Sequence, residues 1–121
     1  MPVNVTLPWP VSANRRLIPA RGRWVLDSKY RAWKETAAFE LLAQLQAAPH
    51  EQLPVGPRAF VGIWVHEPDK RRRDLDNLAK PVLDALQAAG ILRNDSDVDE
   101  LMIARDVPVM GGQLRVRVTN S

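Results

Sequence analysis

Four consecutive cations, Lys70, Arg71, Arg72 and Arg73, run directly into Asp74-Leu75-Asp76, and Lys80 and the pair Asn94-Asp95 follow. Carboxylates gathered without a counter-charge repel one another and raise one another's pKa values, so three aspartates are tolerated together most easily around a divalent cation. The adjacent guanidiniums need an anion of their own. A nucleic-acid backbone meets both needs, because its phosphate oxygens complete a metal shell while neighbouring phosphates pair with arginine. The pattern points to metal-assisted chemistry on a phosphodiester.

Asp74 and Asp76 are two positions apart, so on an extended chain their carboxylates leave the same side and can chelate one ion. Asp95 lies beyond a helical segment and Gly90, where the chain turns back and can bring a third carboxylate to the pair. Oxygen-only ligation without His or Cys suits Mg²⁺, with Mn²⁺ as a substitute. Lys80, four residues after Asp76, projects from the same helix face as that carboxylate and can meet developing charge on a phosphate. Plainer readings exist for each. Asp76 can serve as a helix N-cap, Asp74 as a surface partner of the arginines, and Lys80 as one half of an i,i+4 pair worth ~0.3–0.5 kcal/mol. Asp95-x-Asp97-x-Asp99 imitates the start of a calcium loop, but Glu100 stands where that loop needs Gly and Asp106 where it needs Glu. His50 and His66 show no metal-ligand spacing. Trp33 and Trp64 fit core periodicities, which leaves Trp9 and Trp24 as candidates for touching a base or sugar.

The elements that must position these groups follow from local patterns. Val3, Val5 and Leu7 alternate with polar residues and predict a strand ended by Pro8-Trp9-Pro10. Pro8 to Arg23 reads as an irregular basic segment. Asp27-Ser28 offers an N-cap to a helix running to about Ala48, with Tyr30, Trp33, Ala37, Leu41 and Leu45 on one stripe. Phe60 to Val65 predicts a buried strand. Residues 76–89 predict a second helix ended by Gly90, and Pro81, tolerable only in a first turn, sets its start near Asp76 or Asn77. Val98 to Val107 and Leu114 to Val118 read as strands joined in a hairpin by Gly111-Gly112. Arg115 and Arg117 then line its solvated face. The order predicts a single α/β domain over residues 1–121, a small mixed sheet with two main helices packed on it.

At 121 residues the chain has room for one modest core. Its 17 Lys and Arg against 14 Asp and Glu give a net charge of +3, with a pI near 9.8. Distribution matters more than this sum. Basic residues gather at Arg15-Arg16, at Arg21 and Arg23, and at Lys70 to Arg73, while acids gather between Asp95 and Glu100. Such a face favours a polyanion. The lack of cysteine excludes disulfides and thiolate zinc sites, and no stretch approaches the ~18 apolar residues of a membrane span. A cytoplasmic protein is expected.

The run Arg71-Arg72-Arg73-Asp74-Leu75-Asp76-Asn77-Leu78-Ala79-Lys80, followed by Leu83-Asp84-Ala85-Leu86, Ala89-Gly90-Ile91-Leu92 and Asn94-Asp95, resembles the RusA family of Holliday-junction resolvases. Leu7-Pro8-Trp9-Pro10 with Ser12 and Asn14, Arg21-Gly22-Arg23, and Gly111-Gly112-Gln113-Leu114 extend the likeness over essentially the whole chain. The resemblance implies a RusA-like fold and a Mg²⁺-dependent endonuclease acting as a homodimer on four-way DNA junctions. It maps Asp74, Asp76 and Asp95 onto catalytic, metal-binding aspartates and Lys80 onto a catalytic lysine. Family members often carry Asp-Asp where this chain has Asn94-Asp95, and the role falls to the second residue. Asn14, Arg15, Arg16, Arg21, Arg23 and Lys70 to Arg73 are the expected DNA contacts. Two competing readings remain at this point. One is a basic nucleic-acid-binding module without activity; the other is a metal-dependent phosphotransferase, although the chain lacks the glycine-rich phosphate loop common in that class.

Overall fold

The structure is a computed structural model, and it describes residues 2–10, 17–49, 52–71 and 73–121. The alternation at the start of the chain forms β1 (Val3–Pro8), with Val3, Val5 and Leu7 buried and Asn4 and Thr6 exposed. A two-stranded hairpin follows, β2 (Leu17–Ala20) and β3 (Arg23–Leu26), and then helix α1 (Ser28–Ala47). Strand β4 (Ala59–His66), helix α2 (Ala79–Ala88), β5 (Val98–Arg105) and β6 (Gln113–Asn120) complete the order. The main sheet runs β1-β6-β4-β5. Since β6 is antiparallel to both β1 and β4, and β5 is parallel to β4, three strands run one way and one returns. A mixed sheet with two helices is the expected α/β fold.

Alternation decides which sheet face carries the helices. Val61, Ile63 and Val65 of β4 and Leu114, Val116 and Val118 of β6 are buried, together with Tyr30, Ala37 and Leu41 of α1 and Val82, Ala85 and Leu86 of α2. Each fully buried Val or Leu contributes roughly 1.5–3 kcal/mol. Asp27 caps α1 by accepting from the Lys29 amide at 2.7 Å. Among the described residues no helix lies on the opposite sheet face. There the Phe60 and Trp64 rings lean over Gly62, whose missing side chain would meet them at 3.0 and 3.2 Å, and the Arg115 guanidinium sits 5.0 Å from the Trp64 ring centre.

The outer edge of β1 is closed by a side chain. Gln44 of α1 donates from Nε2 to the Thr6 carbonyl and accepts from the Thr6 amide at Oε1, both at 2.8 Å. This amide supplies the bonds that a further strand would otherwise make and so blunts the edge.

Three expectations are corrected. The segment up to Arg23 is not wholly irregular, because Arg21 (φ 51°) and Gly22 (φ 79°) both take positive φ and close a tight two-residue turn between β2 and β3. Strands β5 and β6 are not a hairpin either. They lie on opposite sides of β4, and residues 106–112 carry the chain past the end of that strand, tied by Asp106 N to Val65 O (2.8 Å) and Val109 N to Glu67 O (2.9 Å). Finally, residues 75–78 form a 3₁₀ turn, and regular α-helix begins only at Ala79. That start places Pro81 in the first turn, where its missing N–H is harmless.

Gly112 marks the tightest point of the 106–112 crossing. Its φ is 73°, and a Cβ there would stand 2.9 Å from the Trp9 ring. Gly112→Ala is expected to cost at least ~1–2 kcal/mol from the left-handed backbone alone, read as a lower denaturant midpoint. An unchanged midpoint would show that residue 112 holds neither the left-handed backbone nor the close approach to Trp9 in solution.

Candidate active site

Strand β4 ends at His66, so the Asp74-Asp76 pair does not extend a strand as the spacing alone invites. A loop intervenes, and buried charge fixes it. Glu67 is only 6% exposed. Its Oε1 accepts from Arg105 Nε at 2.8 Å, and its Oε2, without a hydrogen bond, lies 3.6 Å from Arg73 Nη1. Arg105 also donates to the Arg73 carbonyl at 2.6 Å, tying the end of β5 to the residue before Asp74.

Within the basic run, the partners of Arg73 are therefore acids upstream of it. It forks onto both carboxylate oxygens of Asp69, at 2.9 and 3.1 Å, and its guanidinium lies 5.5 Å from the Trp9 ring centre. Trp9 thus supports the loop. Lys70 and Arg71 are exposed, and Arg21 is exposed at the β2–β3 turn. Asn14, Arg15, Arg16, Arg72 and His50 lie outside the described residues, as do the side chains of Arg23 and Trp24.

The Arg73 fork makes Asp69 a measurable marker of loop order. The hydrogen bond from Arg73 and then that from the Arg71 amide lower the Asp69 pKa from 3.8 to about 2. A depressed folded-state pKa adds stability that is fully present above the unfolded value and disappears as pH falls through about 2. A carboxyl ¹³C titration of Asp69 should therefore show a midpoint near 2. An unshifted midpoint would mean that the fork does not persist in solution.

Asp74 and Asp76 are exposed. Asp74 flanks the 3₁₀ turn in extended conformation without a side-chain cap bond, and Asp76 lies inside the turn. Residue 78, not an aspartate, occupies the N-cap of α2, so the capping reading does not hold for either acid. Neither has a described ion-pair partner. The turn packs against β5, the edge strand of the sheet.

Lys80 sits in the first turn of α2. Its ammonium donates to Asp95 Oδ2 at 2.7 Å and lies 3.3 Å from Asp84 Oδ1. The anticipated i,i+4 partner Asp76 is thus replaced by the i,i+4 partner on the other side, Asp84. The hydrogen bond to Asp95 is the main cause that raises the Lys80 pKa, and the same bond lowers that of Asp95. Asp95 opens the 3₁₀ turn Asp95–Asp97, while Asn94 Oδ1 caps that turn by accepting from Ser96 N at 2.9 Å. The neighbouring acids are engaged elsewhere, Asp97 with Arg93 at 3.1 Å and Asp99 with Arg58 at 2.8 Å.

Asp74, Asp76 and Asp95 are an all-oxygen donor set of the kind that holds Mg²⁺ or Mn²⁺. Among the described residues no three carboxylate or imidazole groups stand grouped to hold an ion. Asp74, Asp76 and Asp95 therefore do not stand together as one ion-holding group in the structure. Sequence reasoning placed Tyr30 in the core stripe and gave Asp84 no role, yet the Tyr30 hydroxyl donates to Asp84 Oδ2. The Lys80-Asp84 spacing was the available signal.

Comparison with known proteins converges on one family. A family model described as endodeoxyribonuclease RusA matches residues 8–119. The crossover junction endodeoxyribonuclease RusA of Escherichia coli K12 is 34% identical over 118 residues, covering 96% of this chain and 92% of its own length. The protein of the same name from Enterobacteria phage 82 is likewise 34% identical over the same shares, and that of Shigella sonnei is 33% identical. Among the described residues no helix is long and apolar enough to cross a membrane.

Proposed function

The chain belongs to the RusA family of endodeoxyribonucleases, and from that premise we propose that it resolves four-way DNA junctions by paired, symmetric, Mg²⁺-dependent nicks during recombination and repair. The observation that carries the reading is the Lys80 ammonium fixed at 2.7 Å from Asp95, on a helix whose entry turn contains Asp76 and is flanked by Asp74, both exposed and without a described ion-pair partner. Carboxylates and a cation side by side suit a reaction in which a phosphate gains charge.

Asp74, Asp76 and Asp95 would hold the metal, and the metal would supply a water of lowered pKa and charge stabilisation at the scissile phosphate. Lys80, which keeps its proton, offers a donor to a phosphate oxygen. The exposed Lys70, Arg71 and Arg21 meet flanking phosphates and thereby read branched shape more than base sequence. Asn14, Arg15, Arg16, Arg23 and Arg72 are assigned to the same contacts.

Cutting two symmetry-related strands calls for two identical sites related by a two-fold axis, which a homodimer supplies. Light scattering of the free protein should give twice the 13.6 kDa chain mass. In EDTA the protein should prefer a four-way junction to a matched duplex in competition, with binding that weakens steeply as salt rises. Addition of Mg²⁺ should then start cleavage. A monomer with equal affinity for both DNAs would overturn the proposal.

A further inference from the structure

We propose that Asp84, held by Tyr30, is a positioning residue that aims the Lys80 ammonium; this rests on the nuclease reading of the same site. The Asp84 side chain is 14% exposed, and a carboxylate so nearly buried is costly unless its oxygens are satisfied. Each oxygen meets a different donor. Oδ2 accepts from the Tyr30 hydroxyl, and Oδ1 faces Lys80 Nζ at 3.3 Å. Tyr30 is itself fully buried in the first turn of α1 and packs against the Trp33 ring, with ring centres 5.9 Å apart. The chain of contacts thus runs from a rigid aromatic in the core, through Asp84, to a lysine whose side chain is 43% exposed.

A free lysine stem spreads its ammonium over many rotamers. Asp84, one helical turn beyond Lys80, and Asp95, reached from the other side, hold the ammonium at two points. An ammonium has three N–H donors. With one given to Asp95 and the ammonium held on its other side by the ion pair to Asp84, an N–H remains for a phosphate oxygen in a direction set by the protein before DNA arrives. Such preorganisation acts on the reacting geometry, not on DNA affinity, because displacing a catalytic group by ~1 Å can cost ~10²-fold in rate.

The test uses Asp84→Asn, which keeps an acceptor for Tyr30 but removes the charge that holds Lys80, and Tyr30→Phe, which removes the hydroxyl donor to Asp84 Oδ2 and keeps the carboxylate charge. Asp84→Asn should lower the single-turnover junction cleavage rate ~10–100-fold, with the junction dissociation constant in EDTA unchanged within about twofold. Tyr30→Phe should shift the rate the same way to a smaller extent, and Asp84→Glu should restore part of it. The second readout is independent of activity. The ¹⁵Nζ signal of Lys80 should be slow to exchange with solvent in the wild-type protein and lost in Asp84→Asn. If Asp84→Asn lowered thermal stability while the rate per folded molecule and the Lys80 signal stayed unchanged, Asp84 would be only a tie between helices and the proposal would fall. If the wild-type protein cut no junction, the nuclease reading would fail, and the Lys80 signal alone would decide whether Asp84 holds the lysine.

Discussion

Asp74→Asn should abolish junction cleavage while leaving junction binding intact or tighter. Metal-borne stabilisation of transition-state charge is worth several kcal/mol, and at ~1.4 kcal/mol per decade the loss amounts to at least ~10³-fold in rate. Folding should not suffer, since Asp74 is exposed, makes no cap bond and has no described ion-pair partner. Binding measured in EDTA should strengthen, because one negative charge leaves the surface proposed to face DNA, near the exposed Lys70 and Arg71. Parallel gel-shift and single-turnover assays separate the two effects. Cleavage by Asp74→Asn at the wild-type rate would remove Asp74 from the metal site.

Lys80→Ala should cut the rate ~10²–10³-fold, the usual cost of losing one donor to developing charge. Its second consequence is electrostatic. The hydrogen bond from Lys80 is the main reason that Asp95 titrates below the ordinary carboxylate range, so its loss should move the Asp95 midpoint upward. A carboxyl titration on the variant, beside the cleavage assay, reads both. A full rate together with an unmoved Asp95 midpoint would show that the 2.7 Å contact is incidental.

Much of this architecture is legible in the chain because it is locally encoded. Asp27 caps α1, and the stripe from Tyr30 to Leu41 is its buried face. Val3, Val5 and Leu7 identify a half-buried strand. Strand order is another matter. Alternation in β5 and β6 with Gly111-Gly112 between them looks the same whether the strands are neighbours or flank β4, since the pattern reports faces and not partners.

The site divides similarly. The residue types at 74, 76, 80 and 95 announce phosphodiester chemistry, and the structure brings Lys80 to Asp95 across 15 positions. Periodicity gives no hint that Arg73 turns to Asp69 and Glu67 and leaves Asp74 without a described ion-pair partner, because that choice depends on a buried glutamate at the end of β4. The Tyr30-Asp84 bond joins residues 54 positions apart on two helices. No local pattern contains it.

The most direct test of the account maps nicks on an immobile four-way junction, each strand end-labelled in turn, beside a linear duplex of the same sequence. Mg²⁺-dependent nicks are expected at symmetry-related positions in two opposed strands and none in the duplex. Salt-sensitive binding without cleavage in either Mg²⁺ or Mn²⁺ would contradict the account.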